Sequence, residues 1–296
     1  MSIAKSGPPA VWRGYFLLLH PGPSAVCTMI TALSGWSAWR QTGLVGRPSG
    51  GWAAKLAWAS LAMALAQAST GVLNDAVDVP WDRLYQPYKP IAMGAVPRLH
   101  AWLIGVGCGI ASLLAARRAG ARSLRVMGLG LGCGWAYSLG LSRTPLSFLP
   151  FASGLAVVPR LGAAAVGVDL PAQRSVTVLA AGLGMGLHLA NGGPDIERDR
   201  LAGRRSLPVL LGAQGSREMS HFLLAAGALA VALDTPRRGR RWGWGGAAAA
   251  AAMVLADRLA PRTVRDRGDH PFVMPALAAG ILAAGWLLGR ERGAAS

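Results

Sequence analysis

Long apolar stretches recur along almost the whole of this 296-residue chain, and they restrict its possible folds more than any other feature. An α-helix needs about 20 predominantly apolar residues to cross the hydrocarbon of a bilayer. Stretches of roughly that size cover residues 15–39, 52–77, 99–117, 123–141, 146–168, 174–192, 219–234, 242–260 and 271–289. We therefore predict an all-α polytopic membrane protein in which about nine transmembrane helices form a bundle.

The composition favours the same class. Hydrophobic residues make up 52% of the chain and charged residues 15%, against roughly 25% charged residues in soluble domains. The net charge is +17, but the basic residues are scattered between the apolar stretches. We therefore expect contact with anionic membrane lipid and no nucleic-acid partner. The three cysteines lie apart inside apolar stretches, which predicts buried small side chains rather than disulfides.

Two aspartate clusters lie at the ends of the second and sixth stretches, and each runs into a polar loop with Gly, Pro and basic residues. Their aspartates are five of the chain's 13 acidic residues. A carboxylate near lipid is costly unless it is paired, hydrated or bound to metal, so solvated helix ends are a poor explanation for two matched clusters. The clusters are Asn74-Asp75-Ala76-Val77-Asp78-Val79-Pro80-Trp81-Asp82 and Asn191-Gly192-Gly193-Pro194-Asp195-Ile196-Glu197-Arg198-Asp199.

Helical spacing places the polar side chains of each cluster on one face, because positions three and four apart are neighbours. Pro80 and Pro194 lack an N–H donor and are expected to kink or end their helices. Glu197 falls off the polar face and is expected to be exposed to solvent. The face of the first cluster carries Gln67, Asn74, Asp75, Asp78 and Asp82. The face of the second carries His188, Asn191, Asp195 and Asp199.

Carboxylate and amide oxygens are ligands that Mg²⁺ prefers, and Mg²⁺ commonly shares one or two carboxylates with substrate phosphates. The two faces therefore predict Mg²⁺ ions that bridge a diphosphate at the mouth of a membrane cavity. Basic side chains near the clusters would neutralise the remaining phosphate charge. The candidate metal ligands are Asp75, Asp78, Asp82, Asp195, Asp199, Asn74 and Asn191, and the candidate cations are Lys89, Arg83, Arg143 and Arg205.

Both clusters are expected on the same side of the membrane, because four spans separate them. Lys and Arg are almost equally numerous on the two sides, so the positive-inside rule hardly discriminates between orientations. With the N-terminus inside, both clusters face the cytoplasm. No cleavable signal is apparent, and we expect an integral protein of a bacterial cytoplasmic membrane.

Several histidines and aromatic residues leave alternatives open. His188 lies one turn deeper than Asn191, where it could act as a base or be a hydrogen-bonded structural residue; His20 is equally ambiguous. His100 and His221 are expected at the membrane interface. The same holds for the aromatic side chains, although one or two of them could shield a carbocation instead: Trp81, Tyr85, Tyr88 and Tyr137.

These motifs resemble those of the UbiA superfamily of intramembrane prenyltransferases. Asn74-Asp75-x-x-Asp78-x-x-x-Asp82 resembles the first motif of that family, and Asp195-x-x-x-Asp199 with its sequel resembles the second. Lys89-Pro90-Ile91 with Gly94 and Tyr137-Ser138 with Arg143 are similar to two further segments. The resemblance covers about residues 15–290.

The resemblance implies one domain over residues 1–296, a nine-helix bundle around a central cavity, and Mg²⁺-dependent transfer of a prenyl group from its diphosphate to an acceptor. The aspartates and Lys89 would be catalytic. Gln67 and Tyr137 would bind substrate together with the asparagines and arginines named above. The chain departs from the family pattern at two places, one that bears on the acceptor and one that bears on the phosphate site. His20-Pro21 stands where family members that act on aromatic acids often have Arg-Pro, and Ser142 stands where Lys is common.

Three other functions remain open at this point. A terpene cyclase of the same family would ionise the same substrate without an acceptor. A divalent-cation transporter would be expected to carry its carboxylates near the bilayer midplane, whereas these lie at span ends. A non-catalytic lipid-binding scaffold would explain the apolar spans but not the matched aspartates.

Overall fold

The computed structural model describes residues 11–42, 51–168, 171–260 and 270–294. Within these ranges the long elements are all α-helices, joined by short turns of 3-10 helix and loops. The helices are α1 (Val11–Leu18), α2 (Pro21–Thr42), α3 (Trp52–Tyr85), α4 (Arg98–Ala119), α5 (Ala121–Ser138), α6 (Phe148–Ala165), α7 (Pro171–Gly192), α8 (Ile196–Leu201), α9 (Leu207–Asp234), α10 (Arg240–Leu259) and α11 (His270–Ala294).

Each predicted apolar stretch coincides with one long helix, except the first, which is divided between α1 and α2, and this confirms the all-α class. The largest difference in bounds is at α9, which begins at Leu207 instead of 219. Its first turns precede a break at Gly212, where φ is 71° and ψ is 174°. Gly tolerates this left-handed φ because it has no Cβ. The residues of α9 before this break are helical, although they lie outside the predicted apolar stretch.

The predicted number of nine spans is not confirmed by the described residues. By length and composition, four helices could cross a membrane: α3, α4, α6 and the segment Phe272–Gly289 of α11. A fifth is obtained if Trp12–Leu18 and Pro21–Gln41, bent by 45°, are counted as one broken span. Helices such as α5 and α10 contain many Ala and Gly residues and several arginines, which lowers their mean hydropathy.

Four clusters of buried apolar side chains lie in the described part of the bundle, and two of them are large. The first lies among α3 to α6 and includes the buried side chains of Met63, Met127 and Leu161. The second lies among α7, α9, α10 and α11 and includes Leu224 and Leu282. Dispersion contacts in such cores, rather than the hydrophobic effect alone, drive helix association where the surroundings are lipid.

Small residues allow α2 and α6 to approach closely. Gly35 of α2 and Gly162 of α6 face each other so tightly that a Cβ on either would overlap the backbone of the other helix. Close approach at small residues is typical of helix contacts in membranes. α2 also packs against α3 and α11, and α11 packs against α7. These contacts enclose a cavity of about 1030 Å³ at the end of the bundle that carries the aspartate clusters.

Candidate active site

The first aspartate cluster stays on a continuous helix. Pro80 lies inside α3 but does not end it, and the helix continues to Tyr85. Asp75 and Asp82 are therefore carried on one rigid element and are 3% and 2% exposed. Of the two effects expected of Pro80, a kink or an end of the helix, the second does not occur, because α3 continues for another turn although Pro80 donates no N–H.

Lys89 neutralises the two buried carboxylates of this cluster. Its Nζ donates to Asp75 Oδ1 at 3.0 Å and to both carboxylate oxygens of Asp82 at 3.1 Å. Burial lowers the pKa of Lys89, but the carboxylates of Asp75 and Asp82 outweigh burial and hold its pKa above the ordinary value. The amine is therefore a fixed positive charge between two aspartates.

His20 is the second partner of Asp75. Its Nε2 lies 3.0 Å from Asp75 Oδ2. The residue lies at the bend between α1 and α2 and has a φ of +50°, which is uncommon for a residue with a side chain. The ring lies where Gly71 leaves room, since a Cβ on Gly71 would come 2.5 Å from His20 Cδ2. His20 is thus built into the site rather than lying at its margin.

The second aspartate cluster is not on a continuous helix. α7 ends at Gly192, the residues Gly193–Asp195 form one turn of 3-10 helix, and α8 follows. This confirms the break expected at Pro194. Asp195 pairs with Arg198, while Asp199 lies 3.1 Å from Arg204. Burial raises the pKa of Asp199, and Arg204 only partly offsets it.

Arg204 joins the two clusters, and sequence reasoning missed it. Its guanidinium lies 3.1 Å from Asp199, 4.0 Å from Asp78 and 4.5 Å from the ring centroid of Trp81. The predicted cation, Arg205, is exposed, and its backbone N–H donates to the carbonyl oxygen of Arg143. The pair Arg204-Arg205 marked the right place in the sequence, but spacing alone did not show which of the two turns inward.

The other predicted residues divide between the cavity wall and the outside. Gln67, Asn74, Asn191 and Tyr137 line the cavity together with all five aspartates and Lys89. Arg143 lies 3.4 Å from Asp78 at the rim. Arg83 is exposed and does not line the cavity. Glu197 is exposed, as its helical position predicted, and it pairs with Arg200.

His188 lies deeper in the cavity wall and is 2% exposed. Its Nε2 is 2.9 Å from Ser147 Oγ, which also accepts the N–H of Leu207 at 3.0 Å. The ring packs against Phe151 at 5.1 Å and Tyr137 at 6.1 Å between centroids. Of the two roles left open for His188, this hydrogen bond with Ser147 supports the structural one. The aromatic faces beside it border the space below the aspartates.

The donor set fits Mg²⁺ that is completed by a substrate. Within the described ranges no three side chains of Asp, Glu, His or Cys converge on a single point that could hold an ion. The carboxylates contact Lys89, Arg198 and Arg204 instead. A closed protein cage is not required, because Mg²⁺ usually takes one or two carboxylates and fills its remaining positions with phosphate oxygens and water.

Residues 23–274 match the UbiA prenyltransferase family. The chain belongs to this family. The predicted resemblance is therefore confirmed over most of the sequence, and so is the enzyme class: the protein is a UbiA-family prenyltransferase.

Two curated relatives are similar at 27% identity. Digeranylgeranylglyceryl phosphate synthase of Natronomonas pharaonis aligns over 224 residues, 75% of each chain. The bacteriochlorophyll synthase 33 kDa chain of Rhodobacter capsulatus aligns over 174 residues, 54% of this chain and 56% of the relative. Both names are those of synthases.

Solved structures share the fold over nearly the whole chain. A digeranylgeranylglyceryl phosphate synthase superposes with a TM-score of 0.68 at 14% identity, covering 95% of this chain and 98% of that one. A UbiA homolog from Archaeoglobus fulgidus bound to GPP and Mg²⁺ superposes with a TM-score of 0.65 at 19% identity, covering 93% and 99%.

Proposed function

We propose that this chain is a Mg²⁺-dependent intramembrane prenyltransferase that ionises a prenyl diphosphate and transfers the prenyl group to an acceptor. The observation that carries the proposal is the meeting of both aspartate clusters in one cavity, where Arg204 contacts Asp78 of the first and Asp199 of the second. A diphosphate placed between the clusters would be within reach of both sets of carboxylates through shared metal ions.

The metal would be held by Asp75, Asp78, Asp82, Asp195 and Asp199, with Asn74 and Asn191 as additional oxygen donors. When bound there, Mg²⁺ supplies the charge that stabilises a departing diphosphate. Lys89, Arg198 and Arg204 already contact these carboxylates. Each can exchange a carboxylate for a phosphate oxygen, so these three side chains would bind and orient the leaving group.

The reaction is balanced by an acceptor nucleophile. The allylic C–O bond breaks, its electron pair leaves with the diphosphate, and the acceptor forms the new bond to carbon and loses a proton. The cavity wall includes Tyr137, Phe151 and His188, whose ring faces can lie against a developing carbocation. The surrounding apolar bundle would exclude water, which would otherwise quench that cation.

The similar proteins support this proposal. The homolog from Archaeoglobus fulgidus has been seen with GPP and Mg²⁺ in the same fold, and the relative from Natronomonas pharaonis is named for a product that carries a glyceryl phosphate. We extend both to this chain, with a lipid-like or aromatic acceptor. We also propose nine spans in a bacterial cytoplasmic membrane, with the aspartate clusters at the cytoplasmic side.

A terpene cyclase is the second candidate, because it would use the same ionising residues and an apolar cavity. Product analysis separates the two. Detergent-purified protein is incubated with Mg²⁺ and C10 to C20 prenyl diphosphates, with and without a membrane lipid extract, and products are identified by mass spectrometry. A transferase gives a prenylated adduct that requires the extract. A cyclic hydrocarbon or terpene alcohol without the extract would identify a cyclase.

Asp78→Asn and Glu197→Gln provide a matched pair of variants for this assay. Asp78 lines the cavity and contacts Arg143 and Arg204, whereas Glu197 is exposed on α8. We expect Asp78→Asn to reduce turnover by at least about 100-fold and Glu197→Gln to leave it unchanged. Equal activity of both variants would overturn the assignment of the site.

A further inference from the structure

A second polar group lines the same cavity and lies outside both aspartate motifs. It consists of Arg217 and His221 on α9 and Asp257 on α10, beside Phe272 and Pro275 of α11. His221 was expected at the membrane interface, but it is 3% exposed and lies within the protein. Its depth therefore requires another explanation, because buried ionisable groups in a membrane bundle are costly and are retained for pairing or function.

The pair formed by His221 and Asp257 has a defined hydrogen-bond pattern. His221 Nε2 lies 2.8 Å from Asp257 Oδ2, and Arg258 Nε donates to His221 Nδ1 at 3.3 Å. Because an arginine can only donate, Nδ1 must carry the lone pair and Nε2 the proton given to Asp257. The imidazole is thus neutral, and it holds the carboxylate of Asp257, itself 5% exposed, against the cavity wall.

Arg217 is the uncompensated charge of this group. It lies one turn before His221 on α9, so both side chains project from the same face, and both line the cavity. Within the described ranges no carboxylate pairs with Arg217, whereas Arg204 has Asp199 and Arg198 has Asp195. A half-buried guanidinium without a counter-ion attracts an anion, and its planar donors suit phosphate or carboxylate oxygens.

The position of Arg217, His221 and Asp257 along the bundle suits the headgroup of an amphiphile. α9 leaves the end of the bundle that carries the aspartates and α10 returns to it, so Arg217 and Asp257 both lie toward that end. The apolar stretch predicted in α9 begins at residue 219, just after Arg217. An amphiphile with its polar group at Arg217 would keep its chain in the apolar part of the bundle or in lipid.

We propose that Arg217 together with the His221–Asp257 pair forms an acceptor site, which takes an amphiphile with an anionic headgroup. The proposal rests on the transferase function inferred above. Arg217 binds the phosphate or carboxylate of the headgroup. Asp257 accepts a hydrogen bond from a hydroxyl of the same headgroup, since a carboxylate oxygen accepts more than one. The acceptor then lies in the cavity that also holds the prenyl diphosphate.

A purely structural role explains less. The His221–Asp257 hydrogen bond would tie α9 to α10, but it would not require an unpaired arginine in the cavity wall one turn away. The two roles also differ in their consequences. A tie between helices affects stability and leaves ligand selectivity unchanged, whereas an acceptor site discriminates between anionic and neutral headgroups.

Direct binding tests the site without depending on turnover. Purified protein in neutral detergent is titrated with lysophosphatidic acid, with oleate and with a monoacylglycerol of the same chain length, in the absence of prenyl diphosphate. We expect the wild type to bind at least one of the two anionic probes more tightly than the monoacylglycerol. Arg217→Gln should weaken that binding by roughly 10- to 100-fold, as loss of a charged hydrogen bond does, and Arg217→Lys should retain part of it.

The matched control is Arg125→Gln, which removes an exposed arginine of α5 that does not line the cavity. It should bind all three probes like the wild type. Mg²⁺-dependent binding of GPP should persist in Arg217→Gln, and this measurement separates the acceptor site from the diphosphate site. If the phosphate probe or the carboxylate probe depends on Arg217, the site is supported and the headgroup is assigned.

Two results would overturn the proposal. One is equal affinity of the anionic probes and the monoacylglycerol for the wild type. The other is unchanged anionic binding in Arg217→Gln. Failure of the proposed function looks different, since the chain would then either leave prenyl diphosphates intact or convert them to a cyclic product without the extract, whatever the amphiphile titrations show.

Discussion

The guanidinium of Arg204 lies over the indole of Trp81, 4.5 Å from the ring centroid. Trp81 belongs to the first aspartate cluster, and Arg204 follows the second. The stack fixes the plane of the guanidinium while the same group reaches Asp199 and Asp78. Cation–π contact thus orients a side chain that connects the two motifs.

Arg204→Gln should therefore reduce prenyl transfer by about 10- to 100-fold, because it removes a positioned cation from the diphosphate site. Arg205→Gln is the matched control, since Arg205 is the next residue but is exposed. Steady-state rates of diphosphate release from both variants test the prediction. A larger loss in Arg205→Gln than in Arg204→Gln would contradict the placement of the two side chains.

Lys89→Met should lower turnover by about 100-fold or more, since it removes the amine that bridges Asp75 and Asp82. It should also destabilise the protein without metal, because two nearly buried carboxylates lose their shared counter-ion. Thermal unfolding in detergent with and without Mg²⁺ checks this, and Lys55→Met on the same chain is a control outside the cavity. An unchanged melting temperature in Lys89→Met would show that the bridge does not stabilise the fold.

Gly71→Ala should impair the site through His20, because the added Cβ would come 2.5 Å from the ring that contacts Asp75. Gly107→Ala in α4 is the control, since nothing lies within 4 Å of its added Cβ. The double variant His20→Ala/Gly71→Ala should lose little beyond His20→Ala alone, as expected for neighbours that act through one contact. Additive losses in activity would mean that Gly71 acts independently of His20.

Removal of divalent metal should abolish turnover and leave the fold intact. In the structure the carboxylates have internal partners, Lys89, Arg198 and Arg204. Acidic side chains with such partners do not need a metal to avoid repulsion. EDTA should therefore stop diphosphate release, and Mg²⁺ should restore it. A melting temperature that falls steeply in EDTA would indicate a structural metal instead.

Much of this site could be predicted from sequence, for reasons that are local. The spacing of Asp75, Asp78 and Asp82 on a helix is set by the backbone, so their common face was predictable. A kink or an end was expected at both prolines; α7 ends just before Pro194, whereas α3 continues through Pro80, because the effect of a proline depends on packing that spacing does not encode. Arg204 rather than Arg205 turns inward because it contacts Trp81, which is distant in sequence. The burial of His221 likewise depends on Asp257, which lies on another helix.

The uninterrupted helix α3 has a consequence for how a substrate is presented. Its 34 residues correspond to about 51 Å at a rise of 1.5 Å per residue, while the hydrocarbon of a bilayer is about 30 Å thick. The helix is thus longer than the hydrocarbon layer is thick, and Asp75 to Asp82 lie near its C-terminal end. A prenyl diphosphate resting in a membrane already has its charged end at the surface and its chain below. Bound between the aspartates as proposed above, it would keep that orientation, with its charged end level with Asp75 to Asp82 and its chain reaching along the helix to a depth set by chain length.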